Sequence, residues 1–331
     1  MNNSLIIKKD TKSENTLQIF KTIIFNQEMV LLLSILFLLI VVGFINPRYV
    51  SNRNLISLFL GNAYIAVAAI GMSMVIISGN IDISVGSLIG VLATISGTIA
   101  EAGFPIWISW TIPLAIGMFI NFVMGILVAY FRLPSIVVSL GFMSILKGGL
   151  IMFTGGAWIS NLPDGYALSQ LRPLGIPMPI YFMVILTTLT AYWMKMSPLG
   201  RSFYAVGGNS EAARLAGIQP KLTVLKVFIL HGFFVGIASV LFSTQLSVIQ
   251  STVPPYLELT IITASVVGGV SILGGTGTVI GSTLAAVLLA AISSSMIFVN
   301  LSPFWLRSAQ GLLILATVLA DLYRRQRQLN K

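Results

Sequence analysis

The chain contains no cysteine and a single histidine, His231. The first absence excludes disulfide bonds, thiolate metal sites and cysteine nucleophiles, and it leaves the redox compartment undetermined. The second leaves His231 without another histidine or an acid spaced to join it around a metal ion, so we predict no metal site. We expect His231 to be a hydrogen-bonded packing residue.

Charge is scarce as well. Only 8% of the 331 residues are charged, against roughly one quarter in an ordinary soluble domain. An enzyme active within a membrane would need a cluster of catalytic groups, and the sequence has none. We therefore predict no catalytic residue and no enzyme activity. The formal net charge of +10 requires no nucleic-acid partner, because basic cytoplasmic loops of a membrane protein account for it.

A phosphate-binding motif is also absent. No G-x-x-x-x-G-K-[ST] sequence occurs in the chain, so it cannot cradle phosphate itself. The segment GGTGTVIG at 274–281 lies between two apolar runs and not after a strand, and we predict no cofactor there. Its glycines favour a re-entrant turn or a close approach of two helices. Any use of ATP must come from another polypeptide.

Apolar sequence is abundant: 56% of the residues are hydrophobic, and the mean hydropathy is +0.96. A membrane-spanning helix needs about 20 largely apolar residues. Lipid cannot satisfy backbone donors, and no alternating pattern supports a barrel, so the spans must be helices. We predict an all-α polytopic integral membrane protein with about ten transmembrane helices, the eighth short and some broken or re-entrant. The predicted spans are 29–45, 55–78, 84–100, 105–130, 135–154, 178–196, 224–244, 257–272, 278–298 and 303–322.

Lysine and arginine orient these spans, since cytoplasmic loops retain positive charge. With the N-terminus inside, fourteen of the nineteen basic residues fall on the cytoplasmic side. Arg48 and Arg53 are the main exceptions. We predict that both termini are cytoplasmic, with a cytoplasmic tail at 1–28, a transmembrane domain at 29–322, a periplasmic loop at 155–177, a cytoplasmic loop at 197–223 and a cytoplasmic tail at 323–331.

The cytoplasmic loop has the signals of a short helix. Asn209 is a good N-cap, residues 210–216 are adequate helix formers, and Gly217 supplies a left-handed stop. Glu211 and Arg214 are spaced to form an ion pair. A helix of about two turns is marginal alone, so we expect docking to stabilise it, although a solvated loop helix is the alternative.

Four stretches of the chain resemble the permease subunits of bacterial ABC importers of the ribose type, and they follow in that family's order. The resemblance implies a membrane half-pore in the inner membrane that pairs with a second permease, identical or related. It also implies two cytosolic ATP-binding subunits and a periplasmic substrate-binding protein. The stretches are SGNIDISVGS (78–87), GRSFYAVGGNSEAARLAGI (200–218), VVGGVSILGGTGTVIGS (266–282) and SPFWLRSAQGLLIL (302–315).

The resemblance assigns roles to two loops. The EAARLAG sequence matches the family's coupling loop, which implies that Asn209, Glu211, Arg214 and Gly217 contact the ATPase; the longer tail of this motif in other importer classes is absent. The periplasmic segment FTGGAWISNLPDGYALSQL (153–171) is most similar to permeases that import autoinducer-2, and somewhat to those for rhamnose. This loop is expected either to meet the binding protein or to be a packed lid. If the loop meets the binding protein, the contacting residues would be Trp158, Asp164 and Tyr166.

A sugar path needs amides, hydroxyls and aromatic faces. Asn62 with Tyr64, and Asn121 with Phe122, are the polar and aromatic pairs nearest the span centres. We predict that they line the path, with a role in helix–helix association as the alternative.

A stand-alone secondary transporter of a small polar solute is the alternative function. Such carriers usually place acids or histidine in mid-membrane, and here only Asp82, Lys147, His231 and Glu258 qualify. For Asp82, the favoured interpretation is a cap on the helix that starts near Ser84, where an anion complements the helix dipole.

Overall fold

The computed structural model of the chain describes residues 27–245, 247–302 and 304–329. Short 3-10 turns cover Pro47–Val50, Leu168–Gln170 and Pro173–Gly175, and two short antiparallel strands, β1 (Trp158–Ile159) and β2 (Ile249–Gln250), pair with each other. The helices are α1 (Gln27–Ile45), α2 (Asn52–Ile77), α3 (Val85–Glu101), α4 (Ile106–Ala129), α5 (Ser135–Thr154), α6 (Met178–Met196), α7 (Pro198–Gly208), α8 (Ser210–Leu215), α9 (Pro220–Ser243), α10 (Leu257–Val267), α11 (Val279–Phe298) and α12 (Trp305–Leu329).

The all-α polytopic fold is confirmed. Helices α1 to α6 and α9 to α12 coincide with the ten predicted spans. Within the described residues, α1, α2, α4, α5, α9 and α11 are long and apolar enough to cross a membrane, and α3 and α10 are shorter apolar helices. The eighth span ends earlier than predicted, at Val267, because Gly268 and Gly269 follow and Gly269 has a φ of +95°.

Helices α2 and α9 form the centre of the bundle. Both are largely buried, whereas α1 and α5 leave most of their surface exposed. Helix α9 packs against α2, α3 and α4. Its closest approach is to α4, where Gly117 faces Gly232 and a Cβ at Gly236 would lie 2.6 Å from the Cα of Leu114. Small residues on both helices therefore allow the backbones to touch.

The bundle has two ends, and its helices run from one end to the other. At the first, which we call the coupling end, the Gly275 N–H donates to the Ile77 carbonyl at 2.8 Å and the Gln27 amide donates to the Val267 carbonyl. At the second, which we call the lid end, β1 pairs with β2. The start of α1 and the loop between α6 and α9 thus share the coupling end.

Candidate functional site

The short helix α8 has the predicted local geometry. The Asn209 side-chain oxygen accepts a hydrogen bond from the Ala212 N–H at 2.9 Å, which caps the helix. The Arg214 Nε donates to the Glu211 carboxylate at 3.0 Å, and both side chains are mostly exposed. Gly217 ends the turn with a φ of +86°. The helix has six residues and presents this charged pair to solvent.

The preceding helix, α7, anchors α8 to the bundle. Its Phe203 is fully buried, with its ring centroid 6.0 Å from that of Trp193, and the Tyr204 hydroxyl donates to the Gly277 carbonyl at 3.1 Å. Gly207 lies directly against the Ile77 carbonyl, and a Cβ there would also come within 2.8 Å of the Gly275 nitrogen. We call residues 197–219 the coupling segment. It is joined to the end of α2 and to the glycine loop at 274–277.

A polar cleft of about 580 Å³ lies beside α8. Its lining includes the basic side chains of Arg132, Arg214 and Lys221, together with the carboxylate of Glu211. The Lys221 ammonium lies 5.7 Å from the centroid of the Tyr130 ring, which holds it near the start of α9. The coupling end therefore offers a mostly basic, solvent-facing surface around α8.

Asp82 and His231 form a buried pair behind this surface. Both side chains are fully buried, and the His231 Nε2 lies 3.2 Å from the Asp82 Oδ2. The other Asp82 oxygen accepts from the Ser84 N–H at 2.7 Å and the Ser84 hydroxyl at 2.6 Å. Asp82 therefore fixes the turn that precedes α3, and it also lies against α9. Its bonds are to Ser84, the N-cap residue, which makes no side-chain cap bond of its own, so the capping of α3 by Asp82 stays a prediction. A Cβ at Gly71 would lie 2.6 Å from the His231 Nδ1, so His231 fits only because α2 has a glycine there.

The sequence did not indicate that these two residues meet, because they belong to segments distant in the chain. One signal was available: Asp82 is the only acid between the second and third spans, and His231 is the only histidine. Two isolated ionisable groups in apolar sequence tend to satisfy each other when buried.

The four residues predicted to line the sugar path do not form one site. The Asn62 amide donates to the Leu58 carbonyl of its own helix, and the ring centroids of Tyr64 and Phe242 are 5.0 Å apart. Asn121 instead packs against Gly232. Phe242 and Gly232 are separated along α9 by about 15 Å, so Tyr64 and Asn121 lie at different depths.

Their exposure also differs. Asn121 is fully buried, with its amide nitrogen 3.2 Å from the Gly117 carbonyl and its side-chain oxygen unpaired among the described residues. Phe122, the next residue, is exposed on another face of α4. The amide groups of Asn62 and Asn121 each donate to a carbonyl one turn earlier in the same helix.

The loop at 155–177 is a packed lid with an exposed edge. The Tyr166 side chain is 1% exposed, and its hydroxyl bonds the hydroxyls of Ser96 at 2.8 Å and Ser243 at 2.9 Å. Burial raises the pKa of Tyr166. Tyr166 is therefore unavailable as a surface contact, which corrects that prediction. Trp158, which is 65% exposed, and Asp164 remain on the surface.

A large cavity opens beside this lid. It has a volume of about 720 Å³, lies between α3 and α5, and reaches the surface near Trp158. The walls are mostly apolar, and the polar groups in them include Thr94, Thr98 and Glu101. Sequence reasoning missed this cavity, because its lining comes from two helices and two loops.

Comparison with known proteins identifies the family. A family model described as "Branched-chain amino acid transport system / permease component" matches residues 54–320. The chain belongs to this family. The match extends from α2 into α12, so it includes the coupling segment, the Asp82–His231 pair and the lid. The resemblance predicted from the four motifs is confirmed.

Individual relatives agree with this assignment. The autoinducer 2 import system permease protein LsrC of Salmonella typhi is 34% identical over 299 residues, which cover 89% of this chain and 86% of the relative. LsrC of Escherichia coli O157:H7 is 32% identical over 297 residues, covering 89% of this chain and 87% of the relative. No solved structure matches the chain. The chain is thus a multi-pass membrane protein of a transport permease family.

Proposed function

We propose that this chain is the transmembrane permease subunit of an ABC importer. It moves autoinducer-2, or a ribose- or rhamnose-like monosaccharide, inward across the bacterial inner membrane, and a separate subunit hydrolyses the ATP. The observation that carries the proposal is the coupling segment, a capped and charged helix exposed to solvent yet tied to the end of a central helix. The similarity to LsrC, an autoinducer 2 import permease, supports autoinducer-2 as the first substrate to test.

The coupling segment suits a mechanical role. Glu211 and Arg214 face outward, where a cytosolic ATPase can bind them, while Gly207 lies against the backbone of α2. A contact between backbones has little freedom to bend. A displacement of α8 would therefore move the end of α2, and through Asp82 the start of α3 as well. Because the ATPase is cytosolic, the coupling end and both termini are proposed to lie in the cytoplasm.

Each end of the bundle is proposed to bind a different partner. Two ATP-binding subunits dock at the coupling end, one for each of two permeases, and the second permease is identical or related. A periplasmic binding protein docks at the lid end, with Trp158 and Asp164 as its contacts. No cofactor binds to this chain, since ATP is held by the partner.

A secondary transporter is the second candidate, and the Asp82–His231 pair favours it. Proton-coupled carriers use buried acid and histidine groups of this kind within the membrane. Against this hypothesis, one oxygen of Asp82 already accepts two hydrogen bonds from Ser84. The coupling segment also has no use in a carrier that works alone.

Subunit partnership distinguishes the two candidates. The chain would be purified from native membranes in mild detergent, and its companions identified by mass spectrometry. Recovery of an ATP-binding protein and of a permease would establish an importer, and would show whether the pore contains one kind of permease or two. Recovery of this chain alone, repeated after crosslinking, would favour the carrier.

Two substitutions test the role of α8. Glu211→Ala removes an exposed charge, and Gly217→Pro places a residue limited to a φ near −65° where the backbone has +86°. Both are expected to abolish ATP-driven uptake while the protein stays in the membrane. Lys195→Gln, at an exposed position at the end of α6, is the control. Unchanged uptake in both variants would remove the coupling assignment.

Asn121 tests the packing of α4 against α9. Because its side chain is fully buried, Asn121→Ala is expected to alter uptake and to leave the ATPase subunit bound. Loss of the ATPase from this variant would show that Asn121 acts on assembly.

A further inference from the structure

Helix α10 is short and covers only part of the length of the bundle. It has 11 residues and is about 16 Å long, about half the thickness of a hydrocarbon core. Its last residue, Val267, lies at the coupling end, where its carbonyl accepts from Gln27 at 3.3 Å. Its first residue, Leu257, therefore lies near the midplane.

The chain reaches this point without forming a helix. Strand β2 lies at the lid end, and the residues after it descend along α3. A Cβ at Gly90 would lie 3.2 Å from the Val253 Cα, and one at Gly86 would lie 2.6 Å from the Glu258 carboxylate. Irregular backbone at this depth is tolerated only inside protein or along a water-filled cavity, yet Thr252 is exposed.

Two charges lie at the same level. The Arg307 guanidinium is 4.3 Å from the centroid of the Tyr256 ring, and the Gln310 amide donates to the Thr260 hydroxyl at 3.3 Å, which holds α12 against α10. Arg307 is exposed, and Glu258 is half-buried. Neither has an ion-pair partner among the described residues. A charge at Arg307 that faced lipid at this depth would cost several kcal/mol, so the face formed by Arg307 and Tyr256 does not meet lipid.

We infer that Thr252, Tyr256, Glu258 and Arg307 form part of the wall of the translocation path, where they contact a small polyhydroxylated molecule. The carboxylate accepts hydrogen bonds from hydroxyl groups, and the guanidinium donates them. The tyrosine ring, 48% exposed, offers an apolar face to a sugar ring. This deepens the proposed function and rests on it, and it moves the path from the predicted residues on α2 and α4 to the broken eighth span.

The absence of cysteine allows a direct test. Thr252→Cys, Tyr256→Cys and the control Leu189→Cys, on an exposed face of α6, are made singly in the full complex. Each is treated with a membrane-impermeant, positively charged thiosulfonate, with and without autoinducer-2 or ribose. We expect both path positions to react at least about tenfold faster than the control, and one of the two sugars to slow the reaction.

Two results would overturn the inference. Reaction no faster than at Leu189→Cys would mean that the face is covered by lipid or protein. Reaction only after the second permease is removed, without protection by sugar, would mean that the face is an interface between permeases. Labelling requires no ATP, so its failure is distinguishable from a failure of ATP-driven uptake in the unmodified complex.

A functional measurement complements the labelling. Glu258→Gln keeps the shape that fits against Gly86, and Arg307→Gln removes the second charge. The binding protein of an importer sets the apparent affinity. We therefore expect the maximal uptake rate to fall about tenfold in each variant, as for loss of a charged hydrogen bond. The substrate concentration that gives half-maximal uptake should stay unchanged. Full uptake rates in both variants would contradict the inference, and a variant that fails to fold leaves the labelling at Thr252 to decide.

Discussion

The two ends of this bundle are held together by different chemistry. At the coupling end, backbone meets backbone: Gly207 lies against the Ile77 carbonyl, and the Gly275 N–H donates to that same carbonyl at 2.8 Å. At the lid end, β1 and β2 pair through their backbones, and side-chain hydroxyl groups hold the loop at 155–177 against the helices. Tyr166 is bonded to two serine hydroxyls, and the Ser169 hydroxyl donates to the Leu241 carbonyl at 2.8 Å.

This difference matches the work proposed for each end. Backbone contacts through glycine leave no side chain to rotate, so they pass on a displacement with little loss. Hydroxyl hydrogen bonds contribute about 1 kcal/mol each and exchange readily with water or a sugar. The coupling end is thus suited to carry force from an ATPase, and the lid end is suited to open and close.

The largest expected effect lies at the turn before α3. Asp82→Ala removes the acceptor of the Ser84 N–H and hydroxyl and leaves His231 buried without its partner. We expect a loss of about 3 kcal/mol in the free energy of unfolding, measured from thermal unfolding in detergent. Asp164→Ala, an exposed acid in the lid loop, should change stability by less than about 0.5 kcal/mol. Equal effects of the two substitutions would show that the pair contributes nothing.

A smaller effect is expected from one methyl group at the coupling end. Gly207→Ala places a Cβ on the Ile77 carbonyl, which overpacks the junction and costs about 2 kcal/mol. Uptake should be lost as well. Gly208→Ala is the matched control, since its Cβ would lie 3.9 Å from the nearest atom. If both variants transport normally, the junction is not the stiff contact described above.

The lid end should tolerate change better. Tyr166→Phe removes the hydroxyl shared by Ser96 and Ser243, but each serine keeps another acceptor, the carbonyls of Ser109 and Val240. We expect a loss of about 1 kcal/mol, seen as a small fall in melting temperature. Tyr192→Phe, on an exposed face of α6, should have no effect. A loss from Tyr166→Phe that exceeds the loss from Gly207→Ala would reverse the comparison.

The smallest effect concerns the cap of α8. Asn209→Ala leaves the Ala212 N–H without its acceptor and should cost about 0.5 to 1 kcal/mol. Faster hydrogen exchange of the α8 amides would report it. Asn209→Ser keeps a capping oxygen and should restore slow exchange. If the serine variant exchanges as fast as the alanine variant, capping is not what stabilises α8.

Features that depend on neighbouring residues could be predicted from the sequence. The ten spans follow from runs of apolar residues. The cap, ion pair and stop of α8 each act over three or four positions. Close packing by glycine at 274–281 could also be predicted, because small residues in membrane proteins commonly serve this purpose.

Features that depend on contacts between residues far apart in the sequence could not be predicted. Helix α7 contains three glycines, which lower its helix propensity, and the burial of Phe203 compensates only in the folded protein. Tyr166 lies in a polar loop, so its sequence context suggests a surface contact. Its two serine partners are far away in the sequence and approach it only in the folded protein. The eighth span was predicted to be short, but its end at Val267 was not predicted, because the apolar run continues past Gly268 to Ile272.

ATP-driven uptake in proteoliposomes tests the central claim most directly. The purified complex would be reconstituted with its binding protein outside, and uptake of labelled autoinducer-2 or ribose would be measured with ATP inside, with and without a proton gradient. We predict uptake that requires ATP and is unchanged when a protonophore collapses the gradient. Uptake driven by the gradient without ATP would contradict the importer and would assign the Asp82–His231 pair to proton-coupled transport.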